Sequence, residues 1–576
     1  MKLIIRQYLA SLKEREELDA VLPDLLSQLG LNVYSTPGRG TRQDGVDVGA
    51  VGKLNGDTEE KVYLFSIKAG DLTRNDWDGD ALQSLRPSLN EILDSYIPNR
   101  LPPEHKGKKI VICLCFGGVI KEQVRPAVTG FIDQVKNENV NFEEWNGDKL
   151  AELIQASFLR EELLPDSARS HLRKALALID EPEASYRYFL DLLHCLLDSN
   201  SGKDKDRLTA LRQINICLWI HFAWARDAGN IESSYLCSEL ALLYGWEIAK
   251  GYVQKKTKVA KAIQATFLSI VGVYQQVCFS FLDEKVLPFV DKRHVLSVSV
   301  RGSCDLDINL RLFDILGRLA LCGLWTYSII QRIPEDETEL RETLVESFQR
   351  YVLSIKQLIE NNPALKLPIK DEQAIDITLA MLLLMIDGNS NRDLSTWLRE
   401  IMNRALFALK VHGKYPCNID SYRDLLEHPT ADDNYLKENT CGSILYPMIG
   451  LCAELIEDTA LFEMVQAIKK KKLEHCNFQL WFPDDDSEEH LYINSDGHGA
   501  ALSEIDIGKP LSEFADQVFG ECDHSKAFYQ LSAQAPALWP LVLVACRHYR
   551  LPIPIHPFRD LRPNITTEEV VDDKSQ

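Results

Sequence analysis

At 576 residues, with 45% hydrophobic and 26% charged positions, the chain exceeds what one hydrophobic core serves, and its composition is that of an ordinary globular protein. About two to four domains are expected, and a wholly disordered, collagen-like or membrane-embedded chain is excluded. The formal net charge of -21 argues against coating nucleic acid, because non-specific affinity for phosphates comes from many Lys and Arg side chains.

In chain order, no basic segment followed by an apolar stretch and a small-residue cleavage site opens the sequence. With no uninterrupted apolar run of about 18 residues, a cytoplasmic protein without membrane attachment is expected. Leu18, Val21, Leu22, Leu25 and Leu29 recur at helical spacing, and Gly30 stops the helix. Short extended runs follow at 31–35 and 46–51, separated by the turn-rich Pro37-Gly38-Arg39-Gly40. The run 61–68 (KVYLFSIK) has the β-branched and aromatic content of a strand. Residues 76–96 are helix-like, with Pro87 at a kink or a start. The nearly continuous apolar run 109–116 (KIVICLCF) predicts a central strand buried on both faces. A helix over 121–137, a strand over 141–145 and a helix after Asn146-Gly147-Asp148 complete the first region.

Beyond about residue 165 the alternation ends, and segments such as 208–225, 260–281, 308–331 and 374–386 carry helical periodicity with no fixed repeat. Near the end, 477–482 and 490–494 read as a hairpin across Asp484-Asp485-Asp486. The expected layout is an α/β domain over 1–165, an all-α region over 166–470, an α+β subregion with a hairpin over 471–564, and a disordered acidic tail over 565–576. The fourteen cysteines, many inside apolar runs like Cys113, Cys115, Cys278 and Cys452, read as reduced core residues rather than a disulfide framework.

The first 70 residues hold an acidic helix, the segment Gln43-Asp44-Gly45-Val46-Asp47-Val48 and the strand end Phe65-Ser66-Ile67-Lys68, in that order. This arrangement resembles the PD-(D/E)XK, or restriction-endonuclease-like, superfamily and its Mrr-like branch: a helix, a strand, a strand with Asp in a "QxGxD" context, then a strand ending in "(D/E/Q)xK". The segment 140–153 (VNFEEWNGDKLAEL) is similar to the strand, turn and helix that often close such domains. The likeness covers about a quarter of the chain. It implies an α/β fold with a central mixed sheet flanked by helices, Mg2+ (or Mn2+) as cofactor, and hydrolysis of DNA phosphodiesters.

Such chemistry needs charge stabilisation on a pentavalent phosphate and a water made nucleophilic near neutral pH, which hard oxygen ligands around a divalent ion supply. By the resemblance, Asp47 is the principal metal ligand, and Lys68 orients or activates the attacking water. Asp19, eleven residues before Gly30, stands where the Mrr-like helix carries its acid, with Glu14 and Glu17 as substitutes. Ser66 departs from the pattern, which has Asp, Glu or Gln two residues before the lysine. A hydroxyl is a poorer Mg2+ ligand than a carboxylate, so either another acid, Asp44 or Asp71, enters the site, or the site is weakened.

Other features have plainer readings. Arg74 in Thr73-Arg74-Asn75-Asp76 is read as part of a solvated turn and helix cap, with a phosphate contact as the sharper alternative. Lys106, Lys108 and Lys109 are read as gatekeepers of a hydrophobic strand, and Lys469 to Lys472 as a solvated helix end. His475, Cys476, Cys522, His524, Cys546 and His548 lack the spacings of a zinc site, and no glycine-rich nucleotide-binding fingerprint occurs. The expected function is a metal-dependent endonuclease, an effector in microbial anti-phage defence. Its helical region would sense or assemble, with a homo-oligomer or a protein partner such as an ATPase. The alternatives are a catalytically degenerate nuclease-fold scaffold and an RNA-cleaving effector.

Overall fold

The apolar runs form the strands expected of them. In the computed structural model, residues 5–6, 9–10, 12, 18–36, 44–54, 57–79, 84–157, 166–198, 202–300, 302, 304–334, 337–411, 415–427, 433–495, 499–503, 505–535 and 537–562 are described. The first region contains α1 (Asp19–Gln28), β1 (Asn32–Ser35), β2 (Val48–Gly52), β3 (Lys61–Lys68), α2 (Arg74–Asp78), α3 (Leu85–Glu91), a π-helical segment (Ile92–Arg100), β4 (Lys109–Phe116), α4 (Arg125–Val135), β5 (Val140–Trp145) and α5 (Gly147–Ser157). One five-stranded mixed sheet runs in the order β1-β2-β3-β4-β5. The first three strands pair antiparallel, and β3, β4 and β5 pair parallel. This is an α/β domain followed by a helical remainder. The middle strand is β3 rather than β4; β4 is nevertheless interior, between β3 and β5, and buried along nearly its whole length.

Alternation along the strands divides the core. Val62, Leu64, Ile110, Ile112 and Leu114 pack with Trp77, Leu85, Leu89, Ile92, Val128 and Phe131 of the helices that follow β3 and β4. On the opposite face Phe65 meets Trp145 edge-on, with ring centroids 5.0 Å apart. Pro87 falls in the first turn of α3, where the missing N–H would have had no intrahelical partner anyway. Gly45 is required by its surroundings. Its φ is +82°, and a Cβ there would lie 2.1 Å from the carbonyl oxygen of Ser88 on α3.

The internal contacts divide the chain into two units, Met1–Val277 and Cys278–Gln576. The first unit thus joins the α/β domain to α6 (Asp166–Ala177), α7 (Pro182–Asp198), α8 (Asp204–Ala228), α9 (Ile231–Ala249) and most of α10 (Lys258–Cys278). Helices α8 and α9 are buried nearly all round, consistent with their weak amphipathic pattern. At their centre lies His221, fully buried, its Nδ1 2.9 Å from Ser234 Oγ and its Nε2 2.9 Å from Ser185 Oγ. Burial pushes its pKa down to about 3, so the ring is neutral.

The second unit is built on α11 (Asp305–Ile330), α12 (Thr338–Asn361), α13 (Ala374–Asp387), α14 (Asn391–Val411), α15 (Leu445–Leu455), α16 (Thr459–Lys472), α17 (Leu511–His524) and α18 (Pro540–His548). Its strands differ from the expected hairpin. Residues 487–490 are a short helix, β8 (Leu480–Phe482) pairs antiparallel with β9 (Ala500–Leu502), and β7 (Asn477–Phe478) pairs parallel with β6 (Gly442–Ser443). A charged cluster ties α11, α13 and α18 together. Arg318 Nη2 lies 2.7 Å from Asp314, Arg550 Nη2 lies 3.0 Å from Asp376, and Arg547 pairs with both Asp314 and Asp376. Burial alone would raise Asp314, but the guanidinium groups, Arg318 first, hold its pKa below the usual carboxylate value.

Two helical stretches, Lys258–Phe289 and Asp305–Ile330, are long and apolar enough to cross a membrane, yet their apolar windows are 56% and 78% buried within the protein. That is how core helices behave. All fourteen cysteines are thiols, as expected from the sequence.

Candidate functional site

The antiparallel pairing of β2 with β3 brings the start of one strand to the end of the other. In the sheet register Val48 lies opposite Phe65, so Asp47 arrives beside the Ser66-Ile67-Lys68 segment. Two hydrogen bonds fix it there. The Asp47 N–H donates to the Phe65 carbonyl at 2.8 Å, and the Ile67 N–H donates to the Asp47 carboxylate at 2.7 Å. The sheet's last rung here is therefore closed by a side chain, and the carboxylate is bonded to the main chain one residue before Lys68.

Ser66 and Lys68 share a sheet face with Val62 and Leu64 by alternation. Both are buried, at 1% and 7% exposure. The Ser66 hydroxyl makes no hydrogen bond, which marks a place where the sequence pattern would have an acid. Asp47 also raises the pKa of the Cys115 thiol next along the sheet, secondary to the effect of burial.

The remaining acids are placed as follows. Asp19 opens α1. The chain turns at Gly30 into β1, and β1 is antiparallel to β2, so the first turn of α1 lies at the sheet end where β2 starts and β3 finishes. Asp44 adopts a left-handed conformation, φ 45°, and its buried carboxylate pairs with Arg100 at the end of the π-helical segment. Asp71 pairs with Lys121 at 2.6 Å and accepts the Val119 N–H at 2.9 Å. The bond from Lys121 and then that from Val119 hold its pKa below the usual range. Both Asp44 and Asp71 are thus held by contacts of their own. Glu14 and Glu17 lie outside the described residues.

Comparison of the chain with protein-family models, curated proteins and solved structures returns no match. The chemistry must be argued from the residues.

A Mg2+-like ion demands near-octahedral hard oxygen ligands. At this strand end the described residues offer the Asp47 carboxylate and the Ser66 hydroxyl. No group of three His, Cys, Asp or Glu side chains that could hold a metal ion occurs among the described residues. Taken alone, they do not fit such an ion. What they do assemble is a carboxylate just before β2, bonded to Ile67, and a buried lysine next to Ile67 at the end of β3, in a setting where its charge is weakly screened.

The plainer readings of the other basic groups agree with their contacts. Thr73 and Asp76 form a capping box on α2, and Arg74 is exposed in it. Lys108 and Lys109 pair with Glu60 and Glu59, both at 2.6 Å, at the opposite end of β3 and β4. Lys469 donates to the carbonyls of Leu473, Glu474 and Cys476 at the end of α16. Sequence reasoning missed the tight loop closing the site end. Gly118 N–H donates to Gly70 O at 2.8 Å, and a Cβ on Gly118 would lie 2.2 Å from Asp71 Oδ1. The signal was present as a glycine pair directly after an apolar strand.

Proposed function

We propose that residues 1–165 are a nuclease-type module of the restriction-endonuclease-like kind that hydrolyses DNA phosphodiester bonds. The carrying observation is the Asp47 carboxylate, bonded to the main chain one residue before Lys68. The order of helix, three antiparallel-linked strands, helices and a parallel strand supports the same reading, since it matches the arrangement that the sequence motifs resemble. In this reading Lys68 offsets phosphate charge, and Asp47 is the acid nearest the reacting centre. Divalent-ion dependence needs a further acid beside Asp47 and Ser66, with Asp19, Glu14 and Glu17 as candidates. The acidic helical region is assigned to sensing or assembly, with a second copy or a protein partner such as an ATPase, in a cytoplasmic anti-phage effector.

The test is cleavage of supercoiled plasmid by the full chain in Mg2+, in Mn2+ and in EDTA. Nicking is expected with the wild type and a loss of at least about 100-fold with Lys68→Met and with Asp47→Asn. The asparagine carbonyl can still accept the Ile67 N–H, so the sheet corner is kept while the charge is removed. Equal behaviour of wild type and both variants in every condition ends the catalytic reading.

A second reading, a degenerate nuclease fold used as a docking scaffold, is favoured by one observation: the buried Ser66 hydroxyl without a hydrogen-bond partner. Activity gained only in Ser66→Glu identifies it. Cleavage of RNA but not DNA by the wild type identifies the RNA-directed alternative.

A further inference from the structure

Helix α1 is held on one side by the sheet, through the buried Val21, Leu22, Leu25 and Leu26. Its Asp24 and Gln28, one turn apart, meet α8 instead. Arg212 Nη1 donates to Gln28 Oε1 at 2.8 Å, and Arg212 Nε lies 3.9 Å from Asp24 Oδ1. Asn215, one turn further along α8, also bonds Asp24, and its Nδ2 donates to Ser269 Oγ on α10 at 2.9 Å. A polar relay therefore runs from α10 through α8 to α1, entirely within the first unit.

The relay is a loose one. Arg212 is 7% exposed, yet its Nε hydrogen-bonds to nothing, and the Asn215 carbonyl oxygen is likewise unmatched. Burial raises the pKa of Asp24 by more than Arg212 lowers it, and burial lowers that of Arg212 despite Asp24. A buried pair whose desolvation is incompletely offset contributes little net stability, but it fixes one arrangement over another. Such a contact is suited to being exchanged.

We infer that the Arg212–Asp24–Gln28 contact is a latch through which the helical region sets the position of α1, and hence of the acidic first turn at the candidate site. This rests on the nuclease reading for its consequence, though not for its test. Arg212, Asn215 and Asp24 are then positioning residues. Whatever engages α8 or α10 changes the site by moving α1 against β2.

Hydrogen–deuterium exchange on the full chain tests the latch without any substrate. With Arg212→Met, which keeps length and removes charge, exchange in α1 and at the β2–β3 corner is expected to rise at least about tenfold. Helices α7 and α9 should be unchanged, Arg212→Lys should retain most of the protection, and adding Asp24→Asn to Arg212→Met should add nothing further. In plasmid cleavage the same variant is expected to alter kcat and leave KM unmoved. Unchanged exchange in α1, or equal deprotection of α7 and α9, overturns the latch. If the wild type cleaves no nucleic acid while the exchange pattern holds, the nuclease reading falls and the latch stands.

Discussion

Carboxylates are held very differently at the strand end of the α/β domain and in the core of the second unit. Asp44 and Asp71 pair with cations that are half in water: the side chains of Arg100 and Lys121 are 49% and 53% exposed. Asp376, 2% exposed, is locked between the guanidinium groups of Arg547 and Arg550, and Asp314, itself 38% exposed, is held by the buried Arg318 and Arg547, 3% and 4% exposed. The first kind of pair can be re-partnered by a ligand at small cost, because solvent replaces the departing cation. The second cannot, because each carboxylate is held by two guanidinium groups at once, unlike the incompletely matched Arg212–Asp24 pair. Exchangeable charge therefore sits beside the candidate site and fixed charge in the scaffold.

The strongest way to break that comparison is Arg547→Met. The buried Asp376 and the partly exposed Asp314 lose a shared partner, and a stability loss of about 3–5 kcal/mol, mostly from Asp376, is expected in chemical denaturation. A loss below about 1 kcal/mol would show that water reaches the cluster after all.

His221 sharpens it from a third side, being buried but uncharged. Its folded pKa, about 3, lies below the ordinary 6.5. The stability it contributes is thus fully present above 6.5 and is lost as pH falls from 6.5 towards 3, where the unfolded chain takes up a proton that the fold refuses. Within that window the unfolding free energy should change with a slope of about 1.4 kcal/mol per pH unit from this residue. His221→Asn should remove that share of the slope.

The smallest effect is predicted for Arg100→Ala. The half-exposed guanidinium gives way to water beside Asp44, and the change in stability should stay near about 1 kcal/mol. A loss as large as that of Arg547→Met would erase the distinction between the two regions.

Much of this was legible in the sequence where the signal is local. The strands at 61–68 and 109–116 were expected to the residue, because lysines bracket the first run and a lysine and a glycine pair the second. Asp47 was singled out, and it does fall at the sheet end carrying Lys68. Ser66 was seen as a departure, but that its hydroxyl is buried and unmatched depends on neighbours no spacing reveals. The strand at 480–482 was given the wrong partner, since alternation shows a strand but not its mate; the segment after it coils into a helix, and the mate comes at 500–502. The unit boundary near 277 was not legible either. Helices α6 to α10 join the first unit through contacts such as that of Arg212 with Gln28, which lie 184 residues apart in the chain.

Because Ile67 finds its acceptor on a side chain, Asp47 has an architectural duty separate from any chemistry. A lineage that abandoned hydrolysis would still be selected to keep an oxygen at that corner. Persistence of an acid at position 47 among descendants is thus a poor witness to catalysis.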